Sequence, residues 1–123
     1  MTGPDSSPKQ PQAIYPSDIH FLREQDGEPE RLLKAQLVES FRHRDEVQRA
    51  YLAQISSDNQ SGVALCLRTR HGPDLNILRE VGAIFARLFG RQEHLDILFL
   101  KETQESVLRN VCNPFYETSA PVH

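Results

Sequence analysis

Histidine and cysteine are the residue types in this sequence best suited to metal binding or nucleophilic catalysis. The histidines form no H-x-H or H-E-x-x-H motif, and the cysteines have no partner at zinc-finger spacing. The histidines are His20, His43, His71, His94 and His123. Cys66 and Cys112 form no C-x-x-C pair, and both have apolar neighbours, which is typical of buried thiols in a reducing compartment. The spacing therefore predicts neither a metal site, nor a cofactor, nor a catalytic thiol.

Paired carboxylates are the next candidates, because two of them can share general acid–base work. The pairs are Glu28 with Glu30 and Glu102 with Glu105, and each stands at the predicted start of a helix. Negative charge at that position stabilises the helix dipole, so a structural interpretation is favoured over an acid–base role. The sequence also lacks a G-x-S-x-G nucleophile motif and a glycine-rich phosphate loop. These patterns predict a protein that is not an enzyme.

Two basic clusters are candidates for binding an anion or an acidic segment of a partner. Arg68, Arg70 and His71 crowd the end of a predicted strand, and residues 42–44, R-H-R, close a predicted helix. The alternative interpretation is a solvated rim, since the chain is acidic elsewhere.

An aromatic pair, Phe115 and Tyr116, follows a helix stop at Asn113 and Pro114. Phenylalanine and tyrosine are favoured in the cores of interfaces, which makes the pair a candidate partner-binding site. The alternative is that both rings fold back and fasten the last helix to the domain.

The composition fits one domain of modest size. The chain has 123 residues and a mass of 14.1 kDa, with 38% hydrophobic and 7% aromatic residues. A net charge of −3 argues against a general nucleic-acid binder, which would carry a basic face. No stretch approaches the roughly 18 apolar residues of a membrane span, and the N-terminus lacks a signal-peptide pattern. We therefore expect a cytoplasmic protein.

Hydrophobic periodicity predicts four strands and three helices in this chain. The strands fall at 19–24, 47–55, 63–70 and 95–100, and the helices at 29–43, 77–89 and 103–112. The second helix gives the strongest signal, because its apolar residues keep the helical period until Gly90 stops it. Residues 1–12 are predicted to be a disordered arm, 13–117 a single domain and 118–123 a frayed tail.

The element order β-α-β-β-α-β, followed by a further helix, predicts an α+β fold of the ferredoxin-like type. In that fold, four antiparallel strands stand in the spatial order 4-1-3-2 and two helices cover one face. The extra helix would cover part of the other face. Because the fourth strand is apolar on both sides, a second copy is expected to cover the remainder as a symmetric homodimer.

Several stretches together resemble the C-terminal domain of the SseB (enhanced serine sensitivity) family. They are V-Q-R-A-Y-L-A-Q-I at 47–55, the helix through Val81 and Ile84, the strand 95–100, and P-F-Y-E at 114–117. The resemblance runs over residues 28–117 and implies a small bacterial cytoplasmic protein without catalytic residues that can be transferred. Family members commonly carry a separate N-terminal domain, for which this chain leaves no room, and some continue beyond P-F-Y-E.

Two functions follow from the residues and the resemblance. The first is a non-enzymatic interaction or regulatory module that binds a protein partner. The alternative is an amino-acid-sensing domain like the ACT domains, which share the βαββαβ order and would place their ligand at the loop 25–29. Neither a membrane nor a nucleic acid is expected as a partner.

Overall fold

The computed structural model describes residues 12–13, 19–58, 60–90 and 93–118. It contains six strands and three helices in these ranges. In chain order they are β1 (Gln12–Ala13), β2 (His20–Glu24), α1 (Glu28–Phe41), β3 (Val47–Ser57), β4 (Gln60–Thr69), α2 (Leu75–Phe89), β5 (Asp96–Phe99), α3 (Glu102–Leu108) and β6 (Tyr116–Glu117). The four predicted strands correspond to β2, β3, β4 and β5, and the three predicted helices lie close to their expected positions. None of the helices in the described part of the chain is long and apolar enough to cross a membrane.

Local sequence explains where α2 begins and ends. The Asp74 carboxylate accepts hydrogen bonds from the backbone N–H groups of Asn76 and Ile77, at 2.9 and 3.2 Å. These bonds satisfy donors that have no partner inside the helix. At the other end, Gly90 has a φ of 78°, which a residue with a side chain rarely adopts. The predicted stop at Gly90 is therefore confirmed.

Helices α1 and α2 both pack their apolar stripes on one face of the sheet. The buried residues of α1 are Leu33, Leu37 and Phe41, and those of α2 are Ile77, Val81, Ile84 and Phe85. They form one core cluster with strand residues such as Leu52, Leu65 and Ile97. The predicted covering of one sheet face by two helices is confirmed.

The strand order differs from the ferredoxin-like prediction. The sheet runs β1-β5-β4-β3-β2. The ferredoxin-like order would place β2, the first predicted strand, between β5 and β4. In the structure β2 lies beside β3 instead. The pairs β2–β3 and β3–β4 are antiparallel, but β4–β5 is parallel, with Cys66 opposite Leu98. Neighbouring parallel strands need a long crossover, and the 15-residue helix α2 supplies it. The prediction of an all-antiparallel 4-1-3-2 sheet is wrong, and the fold is α+β with a mixed sheet.

The second face of the sheet is buried within the single chain. A second core cluster covers it, consisting of Tyr51, Ala53, Ile55, Ala64, Cys66, Leu98, Leu100, Leu108 and Cys112. Leu108 and Cys112 come from α3 and the turn after it, so the extra helix packs on this face as expected. Leu98, however, is only 1% exposed. The open surface on which the expected homodimer depended is therefore already covered.

Strands β2 and β6 lie one after the other along the same side of β3. Strand β2 pairs with the second half of β3, and β6 pairs with its start, with Tyr116 opposite Ala50. Most of the predicted arm and tail lies outside the described residues. Their innermost residues both join the sheet, since Gln12 pairs with Asp96 and the Thr118 amide donates to the Gln48 carbonyl at 2.9 Å.

Candidate functional site

Both cysteines lie in the core behind the second face of the sheet. Cys66 is 0% exposed and Cys112 is 4% exposed, so the predicted burial of both thiols is confirmed. Burial raises the pKa of the Cys66 thiol well above its usual range and raises the pKa of Cys112 to about 11. A thiol acts as a nucleophile only as the thiolate. These groups therefore pack as small apolar side chains.

The two basic clusters are partly brought together. Arg70 donates through Nε to the carbonyl oxygen of Asp45 at 2.7 Å, and its N–H donates to the Glu46 carbonyl. These bonds hold Arg70, which follows β4, against Asp45 and Glu46, next to the basic residues 42–44. Arg70 and His71 are exposed there. Arg68 lies apart, on the opposite face of the sheet, where its Nη1 stands 3.6 Å from the Glu105 carboxylate.

Acidic side chains balance the basic groups at this end of the sheet. Arg44 pairs with Glu80, which also accepts from the Ser40 hydroxyl, and these contacts lower the pKa of Glu80. Arg42 and His43 both lie within ion-pairing distance of Glu39. The arginines here are Arg42, Arg44 and Arg70, and the carboxylates are Glu39, Asp45, Glu46 and Glu80. The arrangement is a mixed rim without a positive surplus.

The aromatic pair folds back onto the domain. Phe115 and Tyr116 are half-buried against the helical core cluster. The Tyr116 ring meets Phe41 edge-on at 5.6 Å, and its hydroxyl donates to the Phe41 carbonyl at 3.3 Å. Lys34 Nζ lies 5.9 Å from the centre of the Phe115 ring. Both rings thus fasten the chain after α3 to α1, in line with the structural interpretation.

A buried carboxylate, Glu105 of α3, organises the second face of the sheet. Arg49 donates to it through Nε at 2.5 Å and through Nη2 at 3.0 Å, and the Tyr51 hydroxyl donates at 2.5 Å. Arg68 Nη1 is buried close by and has no hydrogen-bond partner among the described residues. Arg49 also stands 3.9 Å from Glu117 of β6. The cluster ties α3 and β6 to strands β3 and β4.

The electrostatics of this cluster favour an ionised Glu105. Burial by itself would raise the pKa of Glu105, but hydrogen bonds from Arg49 and Tyr51 and the nearby arginine charges outweigh it and lower the pKa. Burial and the same carboxylate raise the pKa of Tyr51, so the phenol stays protonated and donates. The interpretation of Glu105 as a dipole-complementing residue alone is therefore incomplete. Glu105 lies three positions before Leu108 and seven before Cys112. This helical spacing indicates from the sequence that Glu105 lies on the same buried side as those two residues.

A concave apolar site lies between the start of α1 and the end of α2. We call it the interhelix groove, and it has a volume of about 350 Å³. Its lining residues are Pro29, Glu30, Leu33, Leu52, Val63, Phe85, Phe89, Glu93, His94 and Leu95. The strands supply the floor and the helices supply the walls. A site of this size with an apolar lining and a few polar groups is the usual form of a binding pocket.

The polar groups of the interhelix groove are mainly acidic. Glu30 accepts a hydrogen bond from the Gln25 side-chain amide at 3.1 Å, and Glu93 is exposed. His94 Nε2 lies 2.6 Å from the carboxylate of Asp96. Sequence reasoning missed this site, because its residues come from five segments that are adjacent only in the folded chain. Among the described residues, we find no group of three side chains of histidine, cysteine, aspartate or glutamate that could hold a metal ion.

Comparison with known proteins gives one result. A family model described as the SseB protein C-terminal domain matches residues 20–118 of this chain. No curated protein and no solved structure matches the chain. The family motifs quoted from the sequence fall on the Glu105 cluster and the returning aromatic segment, because A-Y-L supplies Tyr51 and P-F-Y-E supplies Tyr116 and Glu117.

Proposed function

The chain belongs to the SseB protein C-terminal domain family, and from this premise we propose that it is a non-enzymatic interaction module that acts in the cytoplasm as a regulator or adaptor. The interhelix groove is the observation that carries the proposal. It is the site where an apolar floor, two helix walls and acidic side chains converge. A protein partner would dock there.

The positions of the reactive side chains support a binding role over a catalytic one. Both thiols are buried, with raised pKa values that disfavour the thiolate. The Glu105 and Glu80 carboxylates, which have lowered pKa values, are held by arginines and hydroxyl groups within the domain. Each of these groups is thus buried or paired within the domain. We therefore assign them structural roles, and propose that the family motifs preserve the scaffold that presents the groove.

A groove-filling substitution tests this proposal. Val63 is partly buried and lines the groove, so Val63→Trp would occupy it. Ser61→Trp is the matched control, because Ser61 is exposed on the same face of the same strand and does not line the groove. Proteins that co-purify with each variant from the native host would be quantified by mass spectrometry, after circular dichroism shows that both variants fold.

We expect a partner that the wild type and Ser61→Trp retain and that Val63→Trp loses. If a folded Val63→Trp protein retains the same partners at wild-type levels, the groove is not the docking site and the proposal fails.

An amino-acid sensor is the second candidate function, because the loop that would hold its ligand adjoins the interhelix groove. The loop 25–29 leads directly into the groove, where Pro29 and Glu30 line it. The fold analogy on which this candidate rested does not hold, since the observed strand order differs from the ferredoxin-like one. A thermal-shift screen of amino acids separates the two candidates, because saturation at 100 times the dissociation constant stabilises a protein by about 2.7 kcal/mol. A shift with serine or an apolar amino acid that Val63→Trp abolishes would favour the sensor.

A further inference from the structure

The charges around the interhelix groove identify the chemistry of its occupant. We infer that the groove receives a protein segment carrying an arginine or lysine between apolar residues, an inference that rests on the proposed function of the groove as a docking site. The cationic head would lie at the acidic mouth, and the aliphatic stem and its neighbours would cover the apolar floor.

The first observation is an unmatched negative charge. Glu30 and Glu93 both line the groove, and among the described residues neither has a lysine or arginine within ion-pairing distance. The partner of Glu30 is the neutral amide of Gln25. His94, the basic side chain in the lining, is held by Asp96. Among the described residues, no arginine or lysine therefore neutralises these carboxylates, and a cation arriving from outside would meet them.

The second observation is the apolar and aromatic wall beside these carboxylates. Phe85 and Phe89 stand with ring centres 5.0 Å apart, and Phe89 is half-buried at the groove. Aromatic faces attract guanidinium and ammonium groups. The methylene stem of arginine or lysine also packs on apolar surface while its charged head stays at the rim. Such a side chain complements both the carboxylates and the apolar lining of the groove. A purely apolar group would complement only the lining, and an acidic group would be repelled by the carboxylates.

A protein segment fits the groove better than a free amine does. The site is an open trough between two helices and is not an enclosed cavity. Its lining includes Leu33, Leu52, Val63 and Leu95, which come from four different segments of the chain. Residues that flank the cation would cover this apolar lining. Arginine beside apolar residues is also common at the energetic centres of protein interfaces.

Fluorescence anisotropy with matched peptides tests the inference on the full chain. The probe is a labelled alanine-based peptide with a single arginine between two leucines. The matched probe replaces this arginine with citrulline, which keeps the shape and removes the charge. We expect the arginine peptide to bind at least about tenfold more tightly, because it gains charge-assisted hydrogen bonds to the carboxylates.

Protein variants assign the effect to the groove. The double substitution Glu30→Gln with Glu93→Gln should remove most of the difference between the two peptides. Glu102→Gln, which removes an exposed carboxylate from α3, should preserve it and so controls for general attraction to an acidic protein. Equal affinity for the two peptides, no saturable binding, or the same loss in Glu102→Gln would overturn the inference. Arginine amide binding as tightly as the peptide would also overturn it, because the occupant would then be a small amine.

This result is separable from that of the proposed function. If Val63→Trp abolishes partner recovery while the arginine peptide does not bind, the groove is a docking site for a partner of another chemistry. If the peptide binds at the groove while Val63→Trp leaves partner recovery unchanged, the proposed function fails and the groove chemistry stands.

Discussion

At the scale of single residues, Glu105 and both cysteines are buried inside the domain. Because Glu105 is an ionised carboxylate that is 5% exposed, it needs the donors of Arg49 and Tyr51 to be tolerated inside the protein. Those donors come from the strand that carries the family motif A-Y-L. Removing the charge should therefore affect stability and its dependence on pH.

We expect Glu105→Gln to lower the free energy of unfolding by about 1–3 kcal/mol at neutral pH, because it removes the ionic partner of the partly buried Arg49 and Arg68. The folded-state pKa of Glu105 is lowered below the ordinary glutamate value of about 4.3. Its stabilisation is thus present above that value and is lost as the pH falls through the lowered pKa. Urea titrations from neutral to acid pH should show a smaller acid-range loss in Glu105→Gln than in the wild type. The proposed role of Glu105 would be contradicted if the free energy of unfolding fell equally with acid pH in the two proteins. An equal effect of Glu102→Gln would contradict it as well.

The thiols give a second prediction at this scale. Cys66 and Cys112 are buried, so a thiol reagent should label the native protein slowly and the denatured protein quickly. Ser106→Cys supplies a matched exposed thiol on α3 that should react at once in the native state. The rates can be followed by absorbance. Fast native labelling of both natural cysteines would show that the second face of the sheet opens readily.

At the scale of elements, α2 has two roles, since it closes the helical layer and forms a wall of the interhelix groove. Its N-cap, its apolar stripe and its glycine stop all agree with one another, which makes it the element best determined by local sequence. Helix α3 also has a local bond at its start, because the Gln104 side-chain oxygen accepts from the Lys101 N–H at 2.7 Å, but tertiary contacts hold it as well. It is only seven residues long and is held by the Glu105 cluster and by the chain that returns through β6.

Truncating the apolar stripe of α2 should have a large effect on stability. We expect Phe85→Ala to cost about 3–5 kcal/mol, because Phe85 is 7% exposed and packs on Phe89. At roughly 4–8 °C per kcal/mol, the melting temperature should fall by more than about 10 °C. Arg87→Ala on the exposed side of the same helix should change it little. A small loss in Phe85→Ala, measured by calorimetry, would mean that the buried side of α2 is assigned wrongly.

At the scale of the whole molecule, both faces of the sheet are covered within one chain. The helices α1 and α2 cover the first, and a cluster that includes Leu108 and Cys112 covers the second. The sheet therefore has no need of a second copy to bury Leu98. The interhelix groove, at one end of the helical layer, is the surface that we propose for a partner.

We accordingly expect a mass near 14.1 kDa by light scattering, unchanged on concentration, since the surface proposed for self-association is buried. Leu98→Glu should then unfold the chain, because it places a charge in an apolar core. Leu98→Met is the matched control and should fold, since it keeps the volume and polarity of the site. A mass near twice the chain mass for the wild type, with a soluble monomeric Leu98→Glu, would restore the dimer through this face.

Local sequence determined the elements and the character of their buried sides. The helical period of α2, the Gly90 stop, the alternation of Tyr51, Ala53 and Ile55, and the burial of both cysteines all depend on neighbours along the chain. The family resemblance also followed from contiguous motifs. The sequence did not determine which strands pair, because the same βαββαβ order is compatible with the ferredoxin-like arrangement and with the mixed sheet observed.

Only the tertiary structure decided the strand order, the Glu105 cluster and the interhelix groove. The parallel pairing of β4 with β5 places Leu98 beside Cys66, although they are far apart in the chain. In the same way, Arg49 and Tyr51 meet Glu105 across more than fifty positions, and Glu30 and Glu93 meet at one groove. Periodicity reports which side of an element is apolar, but it does not say what that side faces. That choice depends on the packing of the whole chain, in which buried charges must find partners and apolar faces must find cover.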